Sequence, residues 1–294
     1  MKEKLINYSN STIHYKITGA GLPVVLIHGF AEDSRIWDNQ VAFLKNDYNL
    51  IIPDLPGSGG SAPLSEGEGL GVRSIEDYAE CIKQILDAEK ISRCIMIGHS
   101  MGGYITLAFA EKFPEALISF GLFHSSAYAD DAAKVETRKK AIAFIEKNGA
   151  SAFLQTSIPG LFYDQGNSEQ PDALIEGAPS SRQATEVARR PERIAELLER
   201  GKAFSPKTLI QYYEAMIARP DRTEVLIKAP CPVLFILGEH DKAVPFKQGL
   251  EQSHLPDQSY VYILRDSAHM GMLEESGKAN QILAYFLLNQ QCNN

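Results

Sequence analysis

The chain has 294 residues, 44% of them hydrophobic and 22% charged, with a formal net charge of −8. That composition suits a globular chain able to bury a sizeable core, as one large domain or two ordinary ones. The acidic balance and the lack of any clustered basic run argue against nucleic acid or an anionic membrane as partner, because both need Lys and Arg patches to replace counterions.

The N-terminal residues Met1 to Gly21 carry charges but no apolar stretch of signal-peptide length, and no later segment approaches a membrane span, so a cytoplasmic location is expected. Ser11 to Thr18 alternates, with Ile13, Tyr15 and Ile17 on one side, which predicts a half-exposed strand. The turn-rich Asn7 to Asn10 before it points to a hairpin opening the fold. Short continuous apolar runs of the fully buried type follow at Val24 to Ile27, Leu50 to Ile52, Cys94 to Ile97, Leu117 to Phe123, Val233 to Leu237 and Tyr260 to Leu264. Helical patterns at Ile75 to Ala88, Met101 to Lys112 and Gly277 to Leu288 separate most of them. This alternation predicts an α/β fold, a mostly parallel sheet with helices on both faces.

The alternation breaks between Ser126 and Ser205, where helical segments such as Ala132 to Glu146 and Arg193 to Arg200 follow one another, punctuated by Asn148-Gly149, Pro159-Gly160 and Pro191. The expected organisation is therefore a core of residues 1–125 and 206–294 with an all-helical cap, 126–205, inserted between sheet strands. The glycine-rich stretch from Gly57 to Gly71 reads as a mobile loop. The cysteines, Cys81, Cys94, Cys231 and Cys292, lack C-x-x-C spacing, so neither a zinc site nor a disulfide framework is expected, and Cys94 and Cys231 read as core fillers.

Gly98-His99-Ser100-Met101-Gly102 fits G-x-S-x-G at the point where a buried run ends and a helical pattern begins. In that strand-turn-helix setting a sharp turn lifts the serine above the sheet, and small neighbours leave it room. A serine hydroxyl needs a base to take its proton, and the base needs an acid to fix its tautomer. Two candidates follow later strands: Gly238-Glu239-His240-Asp241 after Leu237, and Ser267-Ala268-His269 after Leu264. Both fall at the carboxyl edge of a parallel sheet, the edge that presents Ser100. Asp241 is the expected acid, with Glu239 and Asp266 as its competitors; the end of the strand before the insertion, His124-Ser125-Ser126, offers no carboxylate.

With Leu26-Ile27-His28-Gly29-Phe30 and Pro53-Asp54-Leu55-Pro56-Gly57, these motifs resemble those of the α/β-hydrolase fold superfamily over nearly the whole length, least in the insertion. The resemblance implies a catalytic triad of Ser100, His269 and Asp241, with an oxyanion hole from the N–H groups of Phe30 and Met101. It also implies that His28 braces the oxyanion loop and that His99, beside the nucleophile, points away from it. His14, His124, His240 and His254 read as ordinary polar or partly buried residues.

The implied activity is hydrolysis of a small ester or related acyl substrate through an acyl-enzyme, with no metal or organic cofactor required. Serine in place of aspartate at the nucleophile disfavours the haloalkane dehalogenase and epoxide hydrolase branches. The same residues would serve carbon–carbon bond hydrolases, lactonases, thioesterases and perhydrolases, or a ligand-binding receptor of slow turnover, so fold and triad leave the substrate open.

Gly57-Ser58-Gly59-Gly60-Ser61-Ala62 matches a dinucleotide fingerprint in letters only, because no helix opens directly after it to meet a pyrophosphate. Leu161, Phe162 and Tyr163, after a Pro-Gly turn, are candidates either to touch substrate or simply to pack the cap, with Leu161 and Phe162 taken as the expected substrate contacts. Arg138-Lys139-Lys140 and Arg189-Arg190 are interleaved with Glu136, Glu186, Glu192 and Glu196, and read as solvated helix faces.

Overall fold

The structure is a computed structural model, and it describes residues 1–8, 11–61, 74–164 and 190–292. The expected loop at Gly57 to Gly71 and the insertion at 126–205 therefore fall partly outside the described residues.

Eight strands form one sheet: β1 (Lys2–Tyr8), β2 (Ser11–Thr18), β3 (Pro23–Ile27), β4 (Asn49–Pro53), β5 (Cys94–His99), β6 (Leu117–Phe123), β7 (Val233–Gly238) and β8 (Ser259–Leu264). Their spatial order is β1-β2-β4-β3-β5-β6-β7-β8. β1 pairs antiparallel with β2 over its whole length, from Lys2 opposite Ile17 to Tyr8 opposite Ser11. The pairing of β2 with β4 is antiparallel too, and every later pairing is parallel. The hairpin is as the alternation predicts, but its first strand runs through Asn7 to Tyr8, a stretch whose polar composition reads as turn. The charged Lys2, Glu3 and Lys4 lie on this outer strand, where they discourage pairing with a further edge.

The parallel strands carry continuous Val, Ile, Leu and Phe because helices cover both of their faces. β3, β5 and β7 are almost wholly buried, whereas the outer β8 is mostly not. The helices include α1 (Asp38–Leu44), α2 (Ile75–Ala88), α3 (Met101–Lys112), α4 (Ala132–Ser157), α5 (Arg190–Gly201), α6 (Pro206–Ala218) and α7 (Thr223–Ile227). α2 starts at a capping box in which Ser74 and Asp77 satisfy each other's backbone N–H. α3 is apolar all round and buried between strands and α2.

Between β6 and β7 the described residues form no strand. α4 is broken at Gly149, whose φ of 84° and ψ of 164° are not helical, at the Asn-Gly pair that punctuates the sequence. α6 packs along α4, and Phe30 from the loop after β3 ties both to the sheet: its ring stacks on Tyr213 at 4.3 Å and meets Phe153 edge-on at 6.3 Å. The helical layer thus rests on the carboxyl edge of the strands.

Candidate active site

β5 ends at His99 and α3 begins at Met101, so Ser100 alone makes the turn, with φ 51° and ψ −116°. That φ is costly for a residue with a side chain and persists only where the surroundings impose it. Here the Ser100 N–H donates to Phe123 O at 2.9 Å, and its carbonyl accepts from Gly103 N–H at 2.9 Å and Ser125 Oγ at 2.7 Å. A Cβ on Gly98 would collide with the Gly102 carbonyl, and one on Gly102 with the Ile27 carbonyl. The two glycines of the motif therefore let strand and helix close on each other around the serine.

β7 and β8 are parallel neighbours, so the loops after them lie side by side. His240 N–H joins them by donating to Ser267 O at 3.1 Å. Asp241 Oδ1 accepts from the N–H groups of Ala243 and Val244 at 2.8 and 2.9 Å, and Oδ2 lies 2.8 Å from His269 Nδ1. Burial pushes the Asp241 carboxyl up, but the charge and hydrogen bond of His269, with His124 and the Val244 N–H, outweigh it and hold the group below its ordinary value. A carboxylate only accepts, so the hydrogen bonding assigns the proton to His269 Nδ1 and leaves a lone pair on Nε2. Of the competing acids, Glu239 is exposed and Asp266 is half-buried, and neither meets the imidazole.

His124 stands behind this pair. Its Nδ1 is 3.6 Å from Asp241 Oδ2, and its Nε2 accepts from Gly271 N–H at 3.2 Å. Burial holds it well below the ordinary histidine value, aided by His269 and His99 and opposed by Asp241.

His99 has a different environment. Its Nδ1 is 3.0 Å from Glu32 Oε2 and its Nε2 is 2.9 Å from the His269 carbonyl, so both ring nitrogens face acceptors. Burial alone would lower its pKa, but the Glu32 charge and hydrogen bond and the His269 carbonyl raise it. Glu32 in turn is raised by burial and lowered more by His99, the Gly29 N–H and His28. His28 accepts the Leu55 N–H on Nε2 at 2.9 Å and donates from Nδ1 to Gly29 O at 2.9 Å, which braces the loop carrying Phe30. Neither the Phe30 nor the Met101 N–H has an acceptor among the described residues. Gly29 comes so near the turn that a Cβ there would lie 3.1 Å from Ser100 Cβ.

Ser100 and His269 share a cavity of about 480 Å³, walled also by Phe30, Leu161, Tyr213 and Arg138. Leu161 is placed there because its carbonyl accepts the His269 N–H at 2.9 Å. Phe162, expected beside it at the substrate, is instead buried in the core and is not on the cavity wall. Two further sequence expectations are corrected. Arg138 is not a solvated residue: its side chain is 12% exposed and pairs with the fully buried Asp130. Arg190 is also buried, donating to Tyr163 O and Asp266 O at 2.8 and 2.7 Å. Lys139 and Lys140 do face solvent, while Arg189 lies outside the described residues.

Two supporting carboxylates carried no sequence signal. Glu32 is one. The other is Glu274, whose Oε2 accepts the N–H groups of Ala268 and Met270, on either side of His269, at 3.0 and 3.2 Å. Burial pushes Glu274 up to about 7, against the Tyr163, Ala268 and Met270 N–H groups and Arg190. The turn at Asp54 to Ser61 spends its polar groups inward, with Gly60 N–H on Asp54 Oδ2 at 2.8 Å and Ser61 Oγ on Asp54 O at 2.6 Å. Among the described residues no cluster of His, Cys, Asp and Glu could hold a metal ion, and no helix is long and apolar enough to cross a membrane.

A mostly parallel eight-stranded sheet with helices on its faces, presenting a serine on the turn between a central strand and a helix, defines an α/β hydrolase. The chain belongs to the alpha/beta hydrolase fold family, whose model matches residues 23–276. Its first curated matches, uncharacterized proteins of Mycobacterium bovis and Mycobacterium tuberculosis, share 33% identity over only 34% of this chain and 28% of theirs. A pimeloyl-[acyl-carrier protein] methyl ester esterase of Vibrio atlanticus is 26% identical over 91% of this chain and 95% of its own. A 2-hydroxy-6-oxononadienedioate/2-hydroxy-6-oxononatrienedioate hydrolase of a Pseudomonas species is 24% identical over 95% and 92%. Among solved structures, a thermophilic esterase from Thermogutta terrifontis superposes with a TM-score of 0.84 at 23% identity, covering 99% of both chains.

Proposed function

We propose that the protein is a serine hydrolase that cleaves a small ester or related acyl substrate through an acyl-enzyme on Ser100. The observation that carries this reading is the 2.8 Å contact between His269 Nδ1 and Asp241 Oδ2, in a loop pair whose histidine shares its cavity with Ser100. With Nδ1–H held by Asp241, His269 Nε2 takes the Ser100 proton as Oγ bonds to the carbonyl carbon. The negative charge on the carbonyl oxygen is met by the Phe30 and Met101 N–H groups, which have no competing acceptor among the described residues. The tetrahedral intermediate collapses as the leaving group departs with the proton from His269. Water then loses a proton to His269, attacks the acyl-serine, and releases the acid with Ser100 restored. The helices over the carboxyl edge act as a cap that limits which acyl groups enter.

A fluorophosphonate should modify the folded protein once, at Ser100, as read by peptide mass mapping, and Ser100→Ala should abolish both labelling and turnover of p-nitrophenyl acetate. Labelling at another residue, or none on folded protein, overturns the reading.

A further inference from the structure

We propose that the wall of the Ser100 cavity formed by Arg138, Lys134 and Tyr104 is an anion subsite, and that the acyl substrate carries a carboxylate there, away from the carbonyl that is attacked. The inference rests on the serine-hydrolase reading for where that carbonyl sits.

Asp130, whose side chain is fully buried, serves two guanidinium groups at once. Arg138 Nε donates to Oδ2 at 2.5 Å, and Arg219 Nη2 donates to Oδ1 at 2.9 Å. The two arginines differ in what else they hold. Arg219 is spent: it donates to Met216 O and Tyr128 O at 2.6 and 3.0 Å, and its Cζ sits 3.9 Å from the centre of the Tyr104 ring. Arg138 reaches the cavity, and its Nη1 has no acceptor among the described residues. A largely desolvated guanidinium with an open N–H edge is costly unless something accepts from it, and a carboxylate is the acceptor whose geometry matches.

Lys134 stands one helical turn before Arg138 on α4 and lines the same cavity, with its Nζ donating to Ala243 O at 3.0 Å and further N–H donors to offer. Tyr104, four residues past Ser100 on α3, adds a hydroxyl that has no protein acceptor among the described residues. Burial pushes that phenol up, yet Arg219, Lys134 and Arg138 together bring it below its ordinary value. The local field is therefore positive in a chain whose formal net charge is −8. The acids on the cavity wall are already engaged. Asp131 Oδ1 caps α4 by accepting the Lys134 N–H at 2.7 Å, and Glu32 is held by His99 and Gly29. Tyr104 lies about 4.5 Å along the helix axis from Met101, the residue after Ser100, by the rise of three helical residues. Half-esters of short dicarboxylic acids would bridge that span.

The test compares monomethyl esters of dicarboxylic acids from succinic to suberic with the dimethyl esters of the same acids. The wild type should favour the half-ester at its best length by about tenfold or more in kcat/KM, as a charge-assisted hydrogen bond allows. Arg138→Met should abolish that ratio, and Arg138→Lys should keep part of it. Using the ratio cancels losses of folded enzyme. As a measure on the unaltered chain, the matching free dicarboxylate should inhibit neutral-ester hydrolysis competitively while its diamide does not. A ratio near one in the wild type, an unchanged ratio in Arg138→Met, or no difference between dicarboxylate and diamide overturns the subsite and leaves the hydrolase standing. If no ester is turned over at all, the hydrolase reading fails, and calorimetric titration of the dicarboxylate into Ser100→Ala still decides the subsite: no saturable heat overturns it.

Discussion

Glu32 Oε2 and His99 Nδ1 lie 3.0 Å apart in a fully buried space behind Ser100, and each is bonded onward to a different loop. Glu32 accepts the Gly29 N–H at 2.6 Å, and His99 reaches the His269 carbonyl at 2.9 Å. One ion pair thus joins the loop proposed for the oxyanion, the turn that carries Ser100, and the loop that carries His269, the proposed base. Removing one member of a buried pair leaves the other uncompensated.

Glu32→Gln should accordingly destabilise the protein by about 3–5 kcal/mol in urea unfolding. Ester turnover should fall in the fraction that remains folded, because Gly29 and His269 lose a common anchor. The pH dependence has a definite sign. His99 is raised in the folded state, so its contribution is full below the unfolded histidine value and is lost as pH rises through the folded one. Wild type minus Glu32→Gln should therefore shrink toward alkaline pH. A difference that grows with pH would refute the assignment of the charge to His99.

The elbow offers a steric test. A methyl group on Gly102 would meet the Ile27 and His28 carbonyls, both of them backbone that cannot rotate away. Gly102→Ala should cost about 1–3 kcal/mol by overpacking and should lower kcat, since α3 and the Met101 N–H must shift. Gly160→Ala is the control, because a Cβ there meets nothing within 4 Å. Equal melting temperatures for the two variants would contradict the packing argument.

The parts of this site that the sequence reveals are those where a chemical motif coincides with the end of a buried run. Ser100, Asp241 and His269 each follow a strand of continuous apolar residues, so their common edge is readable from topology alone. Glu32 and Glu274 follow no such rule, since each owes its role to backbone N–H groups brought near by the fold. Arg138 was hidden for a related reason. Charge interleaving along a helix signals solvent on average, but it cannot tell that Asp130 is buried beside this one arginine. Phe162 and Leu161 are adjacent letters of equal apolarity, separated only by which of them the His269 backbone draws to the cavity.

Glu274 gives a second pH prediction. Burial raises it to about 7 from an unfolded value of 4.5, so the folded state binds the proton more tightly than the unfolded one between these limits. Its contribution is full below pH 4.5 and is lost as pH rises to 7, on the order of 3 kcal/mol by linkage. Glu274→Gln cannot titrate, and its stability should fall less over that range than the wild type's. Parallel curves for the two proteins would show that Glu274 keeps an ordinary value.

The assignment of Asp241 is the most exposed to test. In Asp241→Asn the amide can present an N–H to His269 Nδ1 in place of an acceptor, which turns the proton to Nε2 and leaves nothing there to receive the Ser100 proton. Turnover should fall by about a thousandfold or more while the fold survives, since Oδ1 can still accept from Ala243 and Val244. Glu239→Gln and Asp266→Asn should cost far less, because neither side chain meets the imidazole. His124→Asn should fall between these, as its Nδ1 stands 3.6 Å from the same carboxylate without touching the reacting atoms. Ser100→Ala with Asp241→Asn should lose hardly more than Ser100→Ala alone, because members of one catalytic unit do not add. Steady-state kinetics on p-nitrophenyl acetate measure all six variants. If Asp241→Asn keeps most of its activity while the Asp266 or Glu239 change abolishes it, the acid is misassigned even though Ser100 and the fold stand.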